Sequence, residues 1–99
     1  MLNHDIFIDV EFYDTNNDGR HTPISAHQFG CIFKFNDKYY DCRLLLQNIG
    51  IISPGDKKYK IPLKFLSPEL IKPNLKCGDI FYLWEGRNIA QGTVTEIVF

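Results

Sequence analysis

The sequence predicts an all-β chain folded as a single closed antiparallel β-barrel of six or seven strands. Three observations predict it. Apolar and polar residues alternate with a period of two over residues 6–13 and again over residues 58–66. Short clusters of Asn, Asp, Gly and Pro separate the strand-like runs. No segment keeps a helical apolar period through three turns, so no amphipathic helix competes. Closing the sheet hides edges that would otherwise pair with other chains.

Residues 6–13 open the chain as a strand, with Ile6, Ile8, Val10 and Phe12 on one face. Asp14-Thr15-Asn16-Asn17-Asp18-Gly19 follows as a turn or loop, because Asn, Asp and Gly tolerate positive φ and bond their own backbone. Residues 29–35 and 39–47 form two strands joined by the tight connection Asn36-Asp37-Lys38. Tyr40, Cys42 and Leu44 share a face of the second strand until Leu44-Leu45-Leu46 blurs the alternation. Ser53-Pro54-Gly55-Asp56 has Pro and Gly where a type II turn needs them.

Residues 58–66 make the clearest strand, with Tyr59, Ile61, Leu63 and Phe65 facing one way and Lys58, Lys60, Pro62 and Lys64 the other. Pro62 has no N–H for a ladder, which predicts an edge strand or a bulge. Pro68 and Pro73 leave room for at most one helical turn between them. Residues 79–84 and 88–99 close the chain as a hairpin. Strand-like sequence from end to end predicts one domain over residues 1–99, without linker or repeat.

Composition narrows the function. Apolar residues at 44% and charged residues at 23% match an ordinary globular protein, and eight Phe with five Tyr favour strands around a core of rings. A net charge of −1 argues against a strong non-specific nucleic-acid binder, which draws its energy from many phosphate contacts. No apolar run approaches the roughly 18–20 residues that span a bilayer. The polar start lacks the pattern of a signal peptide, so a cytoplasmic location is expected, without membrane attachment. Cys31, Cys42 and Cys77 are odd in number and widely spaced, which reads as reduced, mostly buried thiols, with a disulfide between two of them left open.

Sites with chemistry are scarce. Asp14-Thr15-Asn16-Asn17-Asp18-Gly19 matches the first half of a calcium loop, but Ser25 stands where the bidentate Glu belongs, so turn chemistry explains it. His4, His21 and His27 and the cysteines lack zinc spacing. Cys31 with His21 or His27 lacks an activating signature. No phosphate-cradling loop, dinucleotide loop or nucleophile elbow occurs. No catalytic residue, cofactor, metal or nucleotide is therefore expected, and the chain does not read as an enzyme. Lys57, Lys58, Lys60 and Lys64, with Lys34 and Lys38, form a local basic cluster, read either as a solvated strand face or as a small acidic-partner patch.

Two segments carry the functional reading: Asp18-Gly19-Arg20-His21-Thr22-Pro23, and Leu83-Trp84-Glu85-Gly86-Arg87 about sixty residues later. With the ending Gly92-Thr93-Val94-Thr95-Glu96-Ile97 and the central Pro54-Gly55-Asp56 turn, they resemble the third, C-terminal β-barrel domain of elongation factor Tu. That domain reads Gly-Gly-Arg-His-Thr-Pro in its first loop, Glu-Gly-Gly-Arg in its last hairpin and Gly-x-Val-x-x-Ile in its final strand. The resemblance runs from about Phe7 to Val98 and implies the same barrel without the GTPase domain. It implies that Arg20, His21 and Thr22, and Glu85, Gly86 and Arg87, lie where the family approaches the T-stem of aminoacyl-tRNA. An Arg suits a phosphate contact, but the same residues also read as organisers of the loop across the barrel end.

This chain has one glycine where the family has two, and His27-Gln28-Phe29-Gly30 where the family reads Gly-Tyr-Arg-Pro-Gln-Phe. Trp84, beside the hairpin tip, reads either as an interface anchor or as a core residue. The resulting expectation is a non-catalytic binding module that docks on a translation-related protein or RNA through Arg20, His21, Thr22, Trp84, Glu85, Gly86 and Arg87. A protein partner is preferred, with tRNA contact weak. The alternative is an immunity-type inhibitor that neutralises a toxin by mimicking a surface of elongation factor Tu.

Overall fold

The computed structural model describes residues 3–14 and 20–99. Thr15, Asn16, Asn17, Asp18 and Gly19 lie outside the described residues, and with them most of the calcium-type loop and the start of the first motif. Six strands occur in chain order: β1 (Ile6–Phe12), β2 (Gln28–Phe35), β3 (Lys38–Leu45), β4 (Lys57–Phe65), β5 (Ile80–Trp84) and β6 (Asn88–Ile97). They pair antiparallel in the order β1-β4-β3-β2-β5-β6, and pairing of β6 with β1 closes the barrel. The expected six or seven strands resolve to six.

Local chemistry explains most boundaries. Asn36 and Asp37 take φ of 51° and 60°, so β2 and β3 meet through a two-residue turn with Phe35 opposite Lys38, one residue tighter than expected. Asp56 N donates to Ser53 O at 3.0 Å and Gly55 has φ 86°, the type II turn expected from Pro54-Gly55. The second strand ends at Leu45 rather than at residue 47, because Ile49 and Gly50 both donate to Leu46 O and turn the chain. The last strand ends at Ile97 rather than at residue 99, because Val98 and Phe99 both donate to Asp5 O. Single 3-10 turns occupy Pro68–Leu70 and Lys72–Asn74, each with proline in its first turn, where its missing N–H costs nothing.

Strand alternation fills the interior. Phe33, Phe65 and Phe81 are among the largest fully buried side chains. The Phe33 ring stacks on Phe81 with centroids 4.3 Å apart, and Phe65 meets Phe33 edge-on at 5.0 Å. Such ring pairs contribute about 0.5–1.5 kcal/mol beyond their area burial. Gly92 makes room for them. It lies opposite Phe81 on one side and Val10 on the other. A Cβ there would sit 2.5 Å from Phe81 Cζ and 2.6 Å from Asp9 O.

The structure corrects two expectations about the fourth strand. Ile8 faces Ile61 but Val10 faces Lys58, so β4 carries one extra residue. Lys60 takes φ 54° at this bulge, and Asp9 Oδ1 accepts its N–H at 3.0 Å. The bulge shifts the alternation, so Tyr59 is 66% exposed rather than sharing the inward face of Ile61, Leu63 and Phe65. The strand is not an edge either, since β1 and β3 flank it. Leu63 O accepts from Asp5 N on the β1 side, which turns the Pro62 nitrogen toward β3, just past the last paired residues, Leu44 and Leu63.

Asp5 ties the start of β1 to its neighbours. Its Oδ2 accepts from Phe65 N at 2.8 Å, and the residue is 8% exposed.

Gly92→Ala is expected to destabilise the protein by about 1–3 kcal/mol, the usual cost of overpacking, read as a lower urea midpoint at unchanged slope. Asp5→Ala leaves the Phe65 N–H unpaired and is expected to cost about 1–3 kcal/mol in the same measurement.

Candidate functional site

Arg20, His21 and Thr22 lead into β2 through a loop held by the Ile24–Ile52 bridge. Glu85, Gly86 and Arg87 form the tip between β5 and β6, where Glu85 N donates to Arg87 O and Gly86 takes φ 75°, a value that favours glycine. Despite their separation in sequence, both segments border one depression of about 410 Å³, completed by the buried Ile89. Arg20 joins them. Its Nη1 bonds Glu85 Oε1 at 2.5 Å, its Nε and Nη2 reach Thr22 O and Oγ1 at 3.3 Å, and its guanidinium lies 5.0 Å from the centre of the Phe29 ring. The side chain is 21% exposed. It thus bridges the loop across the barrel end to the hairpin tip, with its charge paired to Glu85.

Trp84 lies elsewhere. Leu83 points into the core, so Trp84 faces outward, half-buried, with its ring 5.4 Å from that of Tyr39. It borders a larger cleft of about 610 Å³ that runs across β2, β3 and β4 on the outer face. Glu85 borders both hollows, so the Arg20–Glu85 pair stands between them. The sequence reading missed this cleft. It is lined in part by Gly30, an exposed β2 residue around which a Cβ would meet nothing within 4 Å. Asn88 Oδ1, at the base of the hairpin, is the buried side-chain oxygen without a hydrogen-bond partner among the described residues.

The basic cluster disperses. Lys57 lies opposite Glu11, Lys64 is 3.8 Å from Asp5, and Lys34 sits over Tyr39 two strands away from β4. Among the described residues, no three His, Cys, Asp or Glu side chains gather as a metal would require. No helix is long and apolar enough to cross a membrane.

No protein-family model matches this chain, and no curated protein matches it.

Cys31 and Cys42 face each other across β2 and β3 with Sγ atoms 3.7 Å apart, and all three cysteines are free thiols. Cys77 is exposed, whereas the other two are buried. The hydrogen bond shared with Cys31 pushes the Cys42 thiol well above its usual range, followed by burial and the charges of Cys31 and Asp41. A thiol held protonated is a poor nucleophile. Cys31 therefore has a cysteine, not a histidine, as its partner.

Arg20→Ala and Glu85→Ala are each expected to cost at most about 1 kcal/mol of stability, as for other exposed ion pairs, in chemical denaturation. At pH 8 a thiol reagent should label Cys77 rapidly, and Cys31 and Cys42 only on unfolding. As pH rises past the ordinary thiol range, the unfolded chain ionises before Cys42 does in the folded protein. Stability is therefore expected to fall, and Cys42→Ala to reduce that alkaline slope.

Proposed function

We propose that this barrel is a non-catalytic binding module that docks on a translation-related protein through the end formed by Arg20, His21, Thr22, Glu85, Gly86 and Arg87, with Trp84 anchoring its flank. One observation carries the reading: two segments distant in sequence border one depression and are joined by Arg20–Glu85. These are the segments whose residues resemble the tRNA-facing loops of the third domain of elongation factor Tu, which supports a partner within translation.

The electrostatics favour protein over tRNA. A phosphate-binding Arg presents its fork to solvent, whereas Arg20 spends its donors on Glu85 and Thr22. The chain's net charge of −1 adds no general attraction to nucleic acid. Shape and hydrogen bonding at the barrel end then determine the partner, as at other modest-sized protein interfaces.

The test is affinity capture from a lysate with the wild-type barrel and with an Arg20→Glu/Arg87→Glu double variant. A translation factor or ribosomal protein retained by the first and lost by the second is expected; identical capture by both would overturn the assignment. A mobility-shift titration with tRNA at low salt checks the RNA side. Retention that disappears with Arg20→Ala and falls steeply with salt would move the partner to RNA.

A further inference from the structure

The closed barrel has a short open seam. β5 pairs with β2 only at Ile32, Phe33 and Lys34, so among the described residues Gln28 and Gly30 have no strand partner on that side. The direction of their backbone groups follows from the ladder. Leu46 N donates to His27 O at 2.7 Å, which makes those two a hydrogen-bonded pair. Such pairs recur at every second residue, so Phe29, Cys31, Phe33 and Phe35 bond toward β3. The N–H and C=O of Gln28 and Gly30 therefore point away from β3, into the gap that β5 leaves when it turns at Glu85. Strand edges of this kind accept an extended chain.

The cleft beside the seam has chemistry suited to side chains of such a chain. Gly30 lacks a side chain, so a group from the seam can cross over it toward β3. Across Gly30 lies Arg43, and directly across from Arg43 lies Lys64. Like charges opposite each other on paired strands are unfavourable unless an anion separates them. Lys64 has Asp5 at 3.8 Å, but the Arg43 side chain makes no ion pair or hydrogen bond with the described residues. Glu85 is already engaged by Arg20. Asp41 lies opposite Ile32, on the side away from Trp84, and repels a second acid at that level.

We propose that the cleft binds an extended peptide segment as an added strand beside β2, with one acidic residue. Its backbone pairs with Gln28 and Gly30. Its carboxylate crosses Gly30 to Arg43, and an apolar neighbour packs against Ile32 and Trp84. This site adjoins the barrel-end depression at Glu85 and shares Trp84 with its flank, but its seam and Arg43 lie outside that depression, and it does not depend on the partner assigned there.

Trp84 is the sole tryptophan, so its emission reports on the cleft directly. The probe is the blocked peptide Ac-Thr-Val-Thr-Glu-Thr-Val-NH2, which carries Val on the same face as Glu and is titrated into the full-length protein. A saturable change in Trp84 emission is expected. Arg43→Glu is expected to weaken binding by about ten-fold or more, the scale of one lost charge-assisted hydrogen bond. Gly30→Val, whose Cβ meets no atom within 4 Å and whose branches fill the crossing point, should abolish binding without lowering the thermal midpoint. A probe N-methylated at alternate amides should fail to bind.

The proposal is overturned if Trp84 emission is unchanged at millimolar peptide, or if a Glu-to-Lys probe binds equally well. It is also overturned if Gly30→Val or N-methylation leaves affinity intact, or if decauridylate shifts Trp84 emission and the peptide does not. Arg87→Glu, at the barrel-end depression and outside the lining of the cleft, should leave the peptide titration unchanged, so the two readings can fail separately.

Discussion

The barrel depends on Gly92. It is the residue of β6 that pairs with Phe81 on β5 and with Val10 on β1, the two ladders that must coexist for the sheet to close. A side chain there would strike the Phe81 ring and the Asp9 carbonyl together. The ring cannot simply move aside, because it is stacked on Phe33, which Phe65 holds edge-on. Closure and core packing are therefore one constraint, met at a single position without a Cβ. Interiors packed at this density pass strain on rather than absorb it.

β1 carries the remaining strain of closure. Both of its ladders are bulged, at Lys60 on β4 and beside Thr95 on β6, and Thr95 Oγ1 bonds Phe7 O. Bulges of this kind sharpen the twist that a six-stranded sheet needs to curl on itself. Asp9 serves both neighbours: its carboxylate holds the left-handed Lys60 backbone, and its carbonyl marks the closest approach to Gly92. Asp5 then secures the end of the same strand with Phe65 and the chain terminus. With one side of the barrel fixed in this way, the loop before β2 and the tip after β5 are free to shape a surface.

Much of this was legible in the sequence, for local reasons. The alternation of Ile6, Ile8, Val10 and Phe12 needs only a period of two, and Pro54-Gly55 needs only the φ values that these residues prefer. The meeting of Arg20, His21 and Thr22 with Glu85, Gly86 and Arg87 was suggested by resemblance rather than by any local signal. The Lys60 bulge was half legible, since Pro62 announced an irregularity but not its place. A lysine at positive φ has no sequence signature, and the aspartate that stabilises it lies 51 residues away. The cleft was illegible for a similar reason. Gly30 reads as an ordinary strand residue until Arg43, Lys64 and the early exit of β5 are brought around it.

Arg20 sets the electrostatics of the barrel end. Placed in a loop by itself, its guanidinium would be a phosphate ligand. Here Glu85 takes that role from across the barrel end, and Phe29 lies beneath the same group. The carboxylate offsets the charge where long-range attraction for RNA would arise, while the paired geometry makes a firm ridge between two hollows. A surface built in this way discriminates by contour and by short-range hydrogen bonds, which act only after contact. The strongest charge of this loop is turned inward, onto the chain's own hairpin.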